Sequence, residues 1–141
     1  ACPLEDFYYE NAAIMTPNAT EARKLSGIDV EDVSGAEAAA REIAARGLRA
    51  VVVTLGDGGS LLYTEGAATH FTAAKVDVRD TTAAGDAFTG SLAVFLSEGK
   101  SLEESVRLAG FAGALAATRL GAQPSLPDRA EFEKFLAQMG G

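Results

Sequence analysis

The sequence predicts an α/β fold in which a mainly parallel sheet is flanked by helices and carries an antiparallel hairpin at its edge. Apolar runs of strand length alternate with segments of helical spacing, which indicates α/β architecture. Residues 50–55 form a continuous β-branched run of the kind buried on both faces of a parallel sheet. Residues 60–63 and 68–72 flank a turn at Glu65 and Gly66, which predicts the edge hairpin. The 141 residues suit one compact domain, or part of one.

The first elements form a strand followed by a helix. Residues 13–16 have the pattern of a short buried strand that runs into Pro17, and residues 18–25 have that of a helix ended by Gly27. Asn18 and Glu21 have the spacing of a capping box at its start.

Four further segments complete the order of elements. Ser34 and Glu37 match a second capping box, which predicts an alanine-rich helix ending at Gly47 and followed by the strand at 50–55. After the hairpin, residues 83–98 have helical spacing, a capping box at Ser101 opens another apolar helix, and a last helix is predicted over 128–138.

Composition excludes several classes of partner. The formal net charge of −8 and pI near 4.6 argue against nucleic acid and anionic membranes, which require clustered Lys and Arg. An anionic ligand would therefore be held by local dipoles. Cys2 is the single cysteine, which excludes an internal disulfide and leaves the redox compartment open, although a thiol-poor acidic chain is most simply placed in a cytosol. Neither a membrane-spanning run nor a signal peptide is apparent in the sequence, so we expect a cytoplasmic protein.

The most informative motif is Asp-Thr-Thr-Ala-Ala-Gly-Asp at residues 80–86, a turn of small residues that opens an apolar helix. Amides in the first turn of a helix lack intrahelical acceptors, and small side chains let a phosphate approach them. A phosphate would repel the carboxylate of Asp86 unless that group takes a proton from an attacking hydroxyl. The alternative is structural: Asp86 favours the positive end of the helix and Asp80 caps a turn.

A second motif, Thr-Leu-Gly-Asp-Gly-Gly at residues 54–59, lies where the buried strand ends, the edge at which α/β sheets bind ligands. Its glycines permit positive φ and let a nucleotide lie against the main chain. Strand-to-hairpin turns are rich in glycine for structural reasons as well. The spacing matches neither a P-loop nor a dinucleotide fingerprint.

Two helix ends are candidate cation sites. Asn18 and Glu21 follow a strand and could orient the hydration shell of Mg²⁺, although capping alone explains both. Residues 121–125, Gly-Ala-Gln-Pro-Ser, end a helix whose free carbonyls suit a hard monovalent cation, with Asp80 supplying charge; helix termination alone would explain the glycine. His70 is the only histidine and lies on the hairpin, so we expect a solvent-facing or packing role away from these motifs.

Together, residues 16–21, the Thr54–Gly59 segment, the turn at 80–86 and residues 121–125 resemble the ribokinase-like carbohydrate kinases, also called the phosphofructokinase B type. The resemblance implies transfer of the ATP γ-phosphate to a sugar hydroxyl. It makes Asp86 the base that contacts the sugar and deprotonates it, and the amides of Ala83, Ala84 and Gly85 the anion hole.

The resemblance also implies cofactor sites. ATP and the hydration network of Mg²⁺ would be bound by Asn18, Glu21, Thr54, Leu55, Gly56, Asp57, Gly58, Gly59, Gly85 and Gly110. A potassium ion would be bound by Asp80, Thr82, Ala116, Arg119, Gly121 and Ser125.

The resemblance covers the C-terminal half of such a kinase, so residues 1–141 are expected to be one nucleotide-binding portion that lacks the N-terminal strands, most sugar-binding residues and the lid. A truncated or proteolysed kinase, or one whose other half lies elsewhere, would explain this. D-ribose is the expected acceptor, with fructose, a keto-deoxy sugar acid or a nucleoside as alternatives. A non-catalytic nucleotide-binding or regulatory module is a further alternative. The full-length protein is expected to form a homodimer through the lid.

Overall fold

The structure is a computed structural model that describes Tyr9 and residues 11–140, so Cys2 lies outside the described residues. The chain divides into two compact units, the first ending at Thr72 and the second beginning at Ala73. Each unit has its own secondary structure and core. In the described residues, no helix is long and apolar enough to cross a bilayer.

The first unit contains a four-stranded sheet in the order β1-β2-β3-β4, formed by Ile14–Met15, Ala50–Thr54, Ser60–Thr64 and Ala67–Phe71. β1 pairs with β2 in parallel, whereas β2–β3 and β3–β4 are antiparallel. The α/β class and the edge hairpin are confirmed. The expected parallel pairing accounts for one of the three strand pairs among the described strands, and β1 is two residues shorter than predicted.

β2 is the centre of the first core. Its residues from Ala50 to Val53 are almost completely buried, as the β-branched run predicts for a strand covered on both faces. The core cluster that packs around it draws on the sheet, on the helices between β1 and β2, and on Tyr9 near the start of the chain: Tyr9, Ala22, Ala36, Ala39, Ala40, Ile43, Leu48, Val51, Val53 and Leu61.

Two helices follow β1 and precede β2 in the first unit, α1 at Ala19–Ser26 and α2 at Val33–Ala44. The Asn18 capping box of α1 and its left-handed Gly27 end are confirmed. The predicted capping box at Ser34 is wrong, because the side chain of Asp32 accepts the Gly35 N–H at 2.8 Å and so begins α2 earlier. The helix also ends at Ala44, before the predicted Gly47.

The second unit is helical, with α3 at Ala84–Ser97, α4 at Leu102–Ala117 and α5 at Arg129–Gln138. The predicted N-cap of α4 is present, since the Ser101 side chain accepts from the Glu104 N–H, and the predicted last helix begins at a complete capping box formed by Asp128, which was not predicted. One core cluster of this unit contains Phe95, Leu108, Ala112 and Phe132, with the two aromatic rings 5.3 Å apart between centroids.

Candidate functional site

The first unit contains a crevice of about 370 Å³ where β2 ends and α1 begins. An isolated parallel bridge joins Asn18 to Thr54, and the Thr54 N–H donates to the Pro17 carbonyl at 2.9 Å. The strand end and the helix start are therefore fixed to each other. The lining residues are Asn18, Ala19, Thr20, Glu21, Lys24, Thr54, Leu55 and Gly56.

The capping box uses only part of each polar side chain. Asn18 Oδ1 accepts the Glu21 N–H at 2.9 Å, and Glu21 Oε2 accepts the Asn18 N–H at 3.0 Å. Within the described residues, the Asn18 side-chain NH₂ and Glu21 Oε1 keep their hydrogen-bonding capacity. A capping role and a ligand role are thus compatible, and these groups suit the water shell of a magnesium ion.

The glycine segment after β2 folds into a 3₁₀ turn at Gly56–Gly58. The Leu55 N–H donates to the Gly59 carbonyl at 2.8 Å, and the Gly58 N–H donates to the Leu55 carbonyl at 3.0 Å. Gly56 has φ +60° and Gly59 has φ +91°, conformations that L side chains rarely adopt. The glycines are required by the backbone path, and Leu55 and Gly56 in this turn also line the crevice.

Two residues of the first unit were missed or misplaced by sequence reasoning. Lys24 lines the crevice, and its spacing of three from Glu21 on a helix could have indicated this. His70 Nε2 lies 2.7 Å from the Gly58 carbonyl oxygen, so the expectation that His70 lies away from the motifs is wrong. That contact depends on a side-chain rotamer, for which the sequence carries no signal.

In the second unit, the predicted anion-binding turn leads into α3. Ala83 is buried and serves as the N-cap, and the Ala84 N–H donates to the Thr81 carbonyl at 3.2 Å. Gly85 is exposed, with open space where a Cβ would lie. Among the described residues, the amides of Gly85 and Asp86 have no acceptor, so they can bind an anion as first-turn amides do.

Asp86 lies in the first turn of α3 and is exposed. Among the described residues, none forms an ion pair or hydrogen bond with its side chain. The carboxylate borders a groove of about 400 Å³ between α3 and the start of α5, whose floor includes Phe95 and Phe132. It is therefore free to contact a ligand, unlike the capping carboxylate of Asp128.

The side chain of Asp80 connects the turn before α3 to the loop after α4 through hydrogen bonds. Its Oδ1 accepts both the N–H and the hydroxyl of Thr82, and its Oδ2 accepts the Gly121 N–H at 2.9 Å. The Thr82 hydroxyl, followed by the two backbone N–H groups, holds the pKa of Asp80 below its ordinary value. This carboxylate stays ionised and ties the segment before α3 to the segment after α4.

The remaining candidate potassium ligands lie in the same unit, at and after the end of α4. The Ala116 carbonyl accepts the Arg119 N–H at 3.1 Å, while the Arg119 guanidinium pairs with Glu131 in a bidentate contact. This contact is the main reason that the pKa of Glu131 is lowered. The buried Ser125 hydroxyl donates to the Ala122 carbonyl at 2.7 Å. Gly110, the remaining nucleotide candidate, is half-buried on α4 with open space beside its Cα.

Comparison with known proteins places these features in a family. Residues 4–129 match the family described as pfkB family carbohydrate kinase. The chain is 40% identical to a ribokinase from Haemophilus influenzae over 87% of its own length and 40% of that protein. It is 36% identical to a ribokinase from Arabidopsis thaliana over 95% of its length and 36% of that protein. The chain thus spans about two fifths of these relatives.

Solved structures give the same fold. A ribokinase from Thermotoga maritima superposes with a TM-score of 0.85 at 40% identity, over 95% of this chain and 45% of that one. The Arabidopsis thaliana ribokinase complexed with ribose and ATP gives 0.89 at 36% identity, over 96% and 44%. The Escherichia coli phosphofructokinase-2 in complex with potassium gives 0.80 at 29% identity, over 93% and 42%.

Proposed function

Because the chain belongs to the pfkB family of carbohydrate kinases, we propose that the protein carrying it transfers the γ-phosphoryl group of ATP to a sugar hydroxyl. Asp86 takes the hydroxyl proton as the hydroxyl oxygen attacks the γ-phosphorus, and the bond to the leaving ADP oxygen breaks. The products are a sugar phosphate, ADP and a proton held first by Asp86.

The observation that carries this proposal is the free, exposed carboxylate of Asp86 in the first turn of α3, next to unpaired amides. A purely structural carboxylate at a helix start normally caps it, as Asp32 and Asp128 do here. Asp86 makes no such contact among the described residues. Base catalysis explains why a carboxylate would stand where an anion binds.

The amides of Ala83, Ala84 and Gly85 are proposed to stabilise the transferring group. In this structure the Ala84 N–H donates a hydrogen bond to the Thr81 carbonyl within the turn, whereas the Gly85 N–H is free. Gly85 therefore supports the anion-hole assignment most directly, and the Ala84 amide would have to leave Thr81 to take part. Preorganised donors of this kind stabilise developing charge in phosphoryl transfer.

The nucleotide is proposed to bind at the crevice of the first unit. Asn18 and Glu21 would contact its phosphates and the hydrated Mg²⁺, and the segment from Thr54 to Gly59 would approach it with bare backbone. Mg²⁺ supplies charge neutralisation to the phosphates when bound. Gly110 is retained as a backbone or shape contact.

The cation proposed for the second unit is potassium. Asp80, Thr82 and Ser125 would supply a carboxylate and two hydroxyls, and Ala116, Arg119 and Gly121 would supply carbonyls at the end of α4. The ionised state of Asp80 supports this, since a monovalent cation needs a nearby negative charge. The potassium complex of a family member is a second support.

D-ribose is the proposed acceptor, which would give ribose 5-phosphate. The ribokinases among the relatives support it. Fructose, a keto-deoxy sugar acid and a nucleoside are the competing acceptors, and a kinase assay with each acceptor in turn decides among them.

The test is a coupled ADP-release assay on the protein expressed from its complete coding sequence, with each acceptor in turn. Ribose should give the highest kcat/KM. Asp86→Asn should lower kcat by about 10²–10⁴-fold while the Kd for ATP stays within about twofold. Asp77→Asn, an exposed carboxylate outside the site, serves as the control. ATP binding without turnover on any acceptor would instead identify a regulatory nucleotide-binding module.

A further inference from the structure

The hairpin of the first unit contacts the glycine turn through one side chain. His70 Nε2 lies 2.7 Å from the Gly58 carbonyl oxygen, and His70 is exposed on β4. A carbonyl oxygen can only accept, so Nε2 must carry the proton. Both the Nε2–H neutral tautomer and the imidazolium satisfy this, whereas the Nδ1–H tautomer does not.

The hairpin register explains how the imidazole reaches the turn. Glu65 and Gly66 adopt φ of +51° and +82°, the left-handed pair typical of a two-residue hairpin turn. This turn fixes the pairing of Leu61 with His70 and of Ser60 with Phe71. His70 thus lies beside the first residues of β3. These residues directly follow the glycine turn in the sequence, so the imidazole is within reach of the turn.

The contact adds a side-chain hydrogen bond to the backbone bonds of the turn. The Gly58 N–H already donates to the Leu55 carbonyl at 3.0 Å, and the His70 contact engages its carbonyl as well. Glycines have more accessible backbone conformations than other residues, so a turn that contains Gly56 and Gly58 and ends at Gly59 is held in one path more firmly by contacts from outside it. His70 supplies such a contact from a neighbouring strand.

We propose that His70 is a positioning residue that holds the Gly56–Gly58 turn in its ligand-binding conformation. The inference rests on the proposed function, since it takes ATP as the ligand of the crevice that Leu55 and Gly56 line. His70 itself does not line that crevice. Its effect is therefore on affinity for nucleotide and not on the chemical step.

The test is calorimetric titration with ATP of the wild-type protein and three variants at His70. Gln carries an amide N–H at the reach of Nε2, whereas the Asn amide reaches only as far as Nδ1. His70→Ala and His70→Asn should raise the Kd for ATP about threefold to tenfold, the range set by one hydrogen bond. His70→Gln should return it to within twofold of wild type, and kcat at saturating ATP should not change.

Thr69→Val is the matched control, because Thr69 is an exposed neighbour on the same strand and valine keeps its β-branching. A folded His70→Ala variant with wild-type affinity would overturn the inference, as would equal affinities for the Gln and Asn variants. Failure of wild type to bind ATP would instead refute the proposed function.

Nitrogen NMR of the wild-type imidazole provides a test that needs no variant. For the neutral imidazole the proposal requires the Nε2–H tautomer, and a dominant Nδ1–H tautomer would overturn it. This measurement decides whether the hydrogen bond exists even if ATP does not bind or if His70→Ala does not fold.

Discussion

Replacing Lys24 by Met should weaken nucleotide binding by an amount that the crevice geometry determines. Lys24 is the cation among the residues that line the crevice, and no ion pair neutralises it within the described residues. Methionine keeps an apolar stem of similar length and removes the charge. In a chain of net charge −8, this ammonium group is the local attraction for a polyphosphate.

The size of the effect follows from exposure. Coulomb attraction between unit charges about 4 Å apart is about 1 kcal/mol in water and about 4 kcal/mol at an effective dielectric constant of about 20. Lys24 is exposed, which places the pair near the lower figure, in keeping with about 0.2–1 kcal/mol for exposed ion pairs. About 1 kcal/mol corresponds to about a fivefold rise in the Kd for ATP.

Calorimetry at low and high salt tests this reasoning. The Kd ratio between Lys24→Met and wild type should be about five at low ionic strength and should approach one in about 1 M salt, where the Debye length is about 3 Å. Lys24→Arg should bind ATP nearly as wild type does. Lys134→Met removes an exposed charge from α5 and is the control. Equal weakening by both methionine variants, or none at Lys24, would refute the electrostatic argument.

Two further predictions concern the backbone of the proposed sites. Gly59→Ala forces a Cβ into φ +91° and ψ −130°, so urea unfolding should show a loss of about 1–3 kcal/mol, whereas Gly90→Ala, with open space around it on α3, should show no loss. The pKa of Asp80 in the folded protein lies below its ordinary value of 3.8. Ionised Asp80 therefore stabilises the fold fully above pH 3.8, and this stabilisation is lost as the pH falls through the pKa of the folded state. Asp80→Asn should therefore be destabilised relative to wild type at neutral pH, with the gap closing in acid; urea curves with a pH-independent gap would contradict this.

Sequence reasoning succeeded where the decisive interaction is local. The caps at Asn18 and Ser101 join residues three apart, and the Glu65–Gly66 turn needs only two residues with positive φ. Each of these patterns specifies its own hydrogen bonds. They were therefore readable without knowledge of the rest of the fold.

It failed where two local solutions compete. Asp32 and Ser34 both precede the apolar face of α2, and either could cap it. The structure selects Asp32, and a Cβ at Gly35 would come within 2.5 Å of the Asp29 carbonyl, so the chain is tightly packed just at this start. Packing of this kind is invisible in residue spacing.

Contacts in the sites between residues far apart in the sequence could not be predicted for a different reason. Asp80 and Gly121 are 41 residues apart, and the sequence linked them only indirectly, as possible ligands of one cation. The structure adds a direct hydrogen bond between them. The contact of His70 with Gly58 depends on strand register and rotamer together, and neither motif predicts it.

Single-turnover phosphoryl transfer is the sharpest test of Asp86 as the catalytic base, because it isolates the step in which Asp86 acts. Wild-type protein loaded with γ-labelled ATP and Mg²⁺ is mixed with ribose, and labelled sugar phosphate is measured by rapid quench. We expect a single exponential for wild type and a rate constant about 10²–10⁴-fold lower for Asp86→Asn with ATP still bound. Equal rate constants for the two proteins would contradict this role of Asp86.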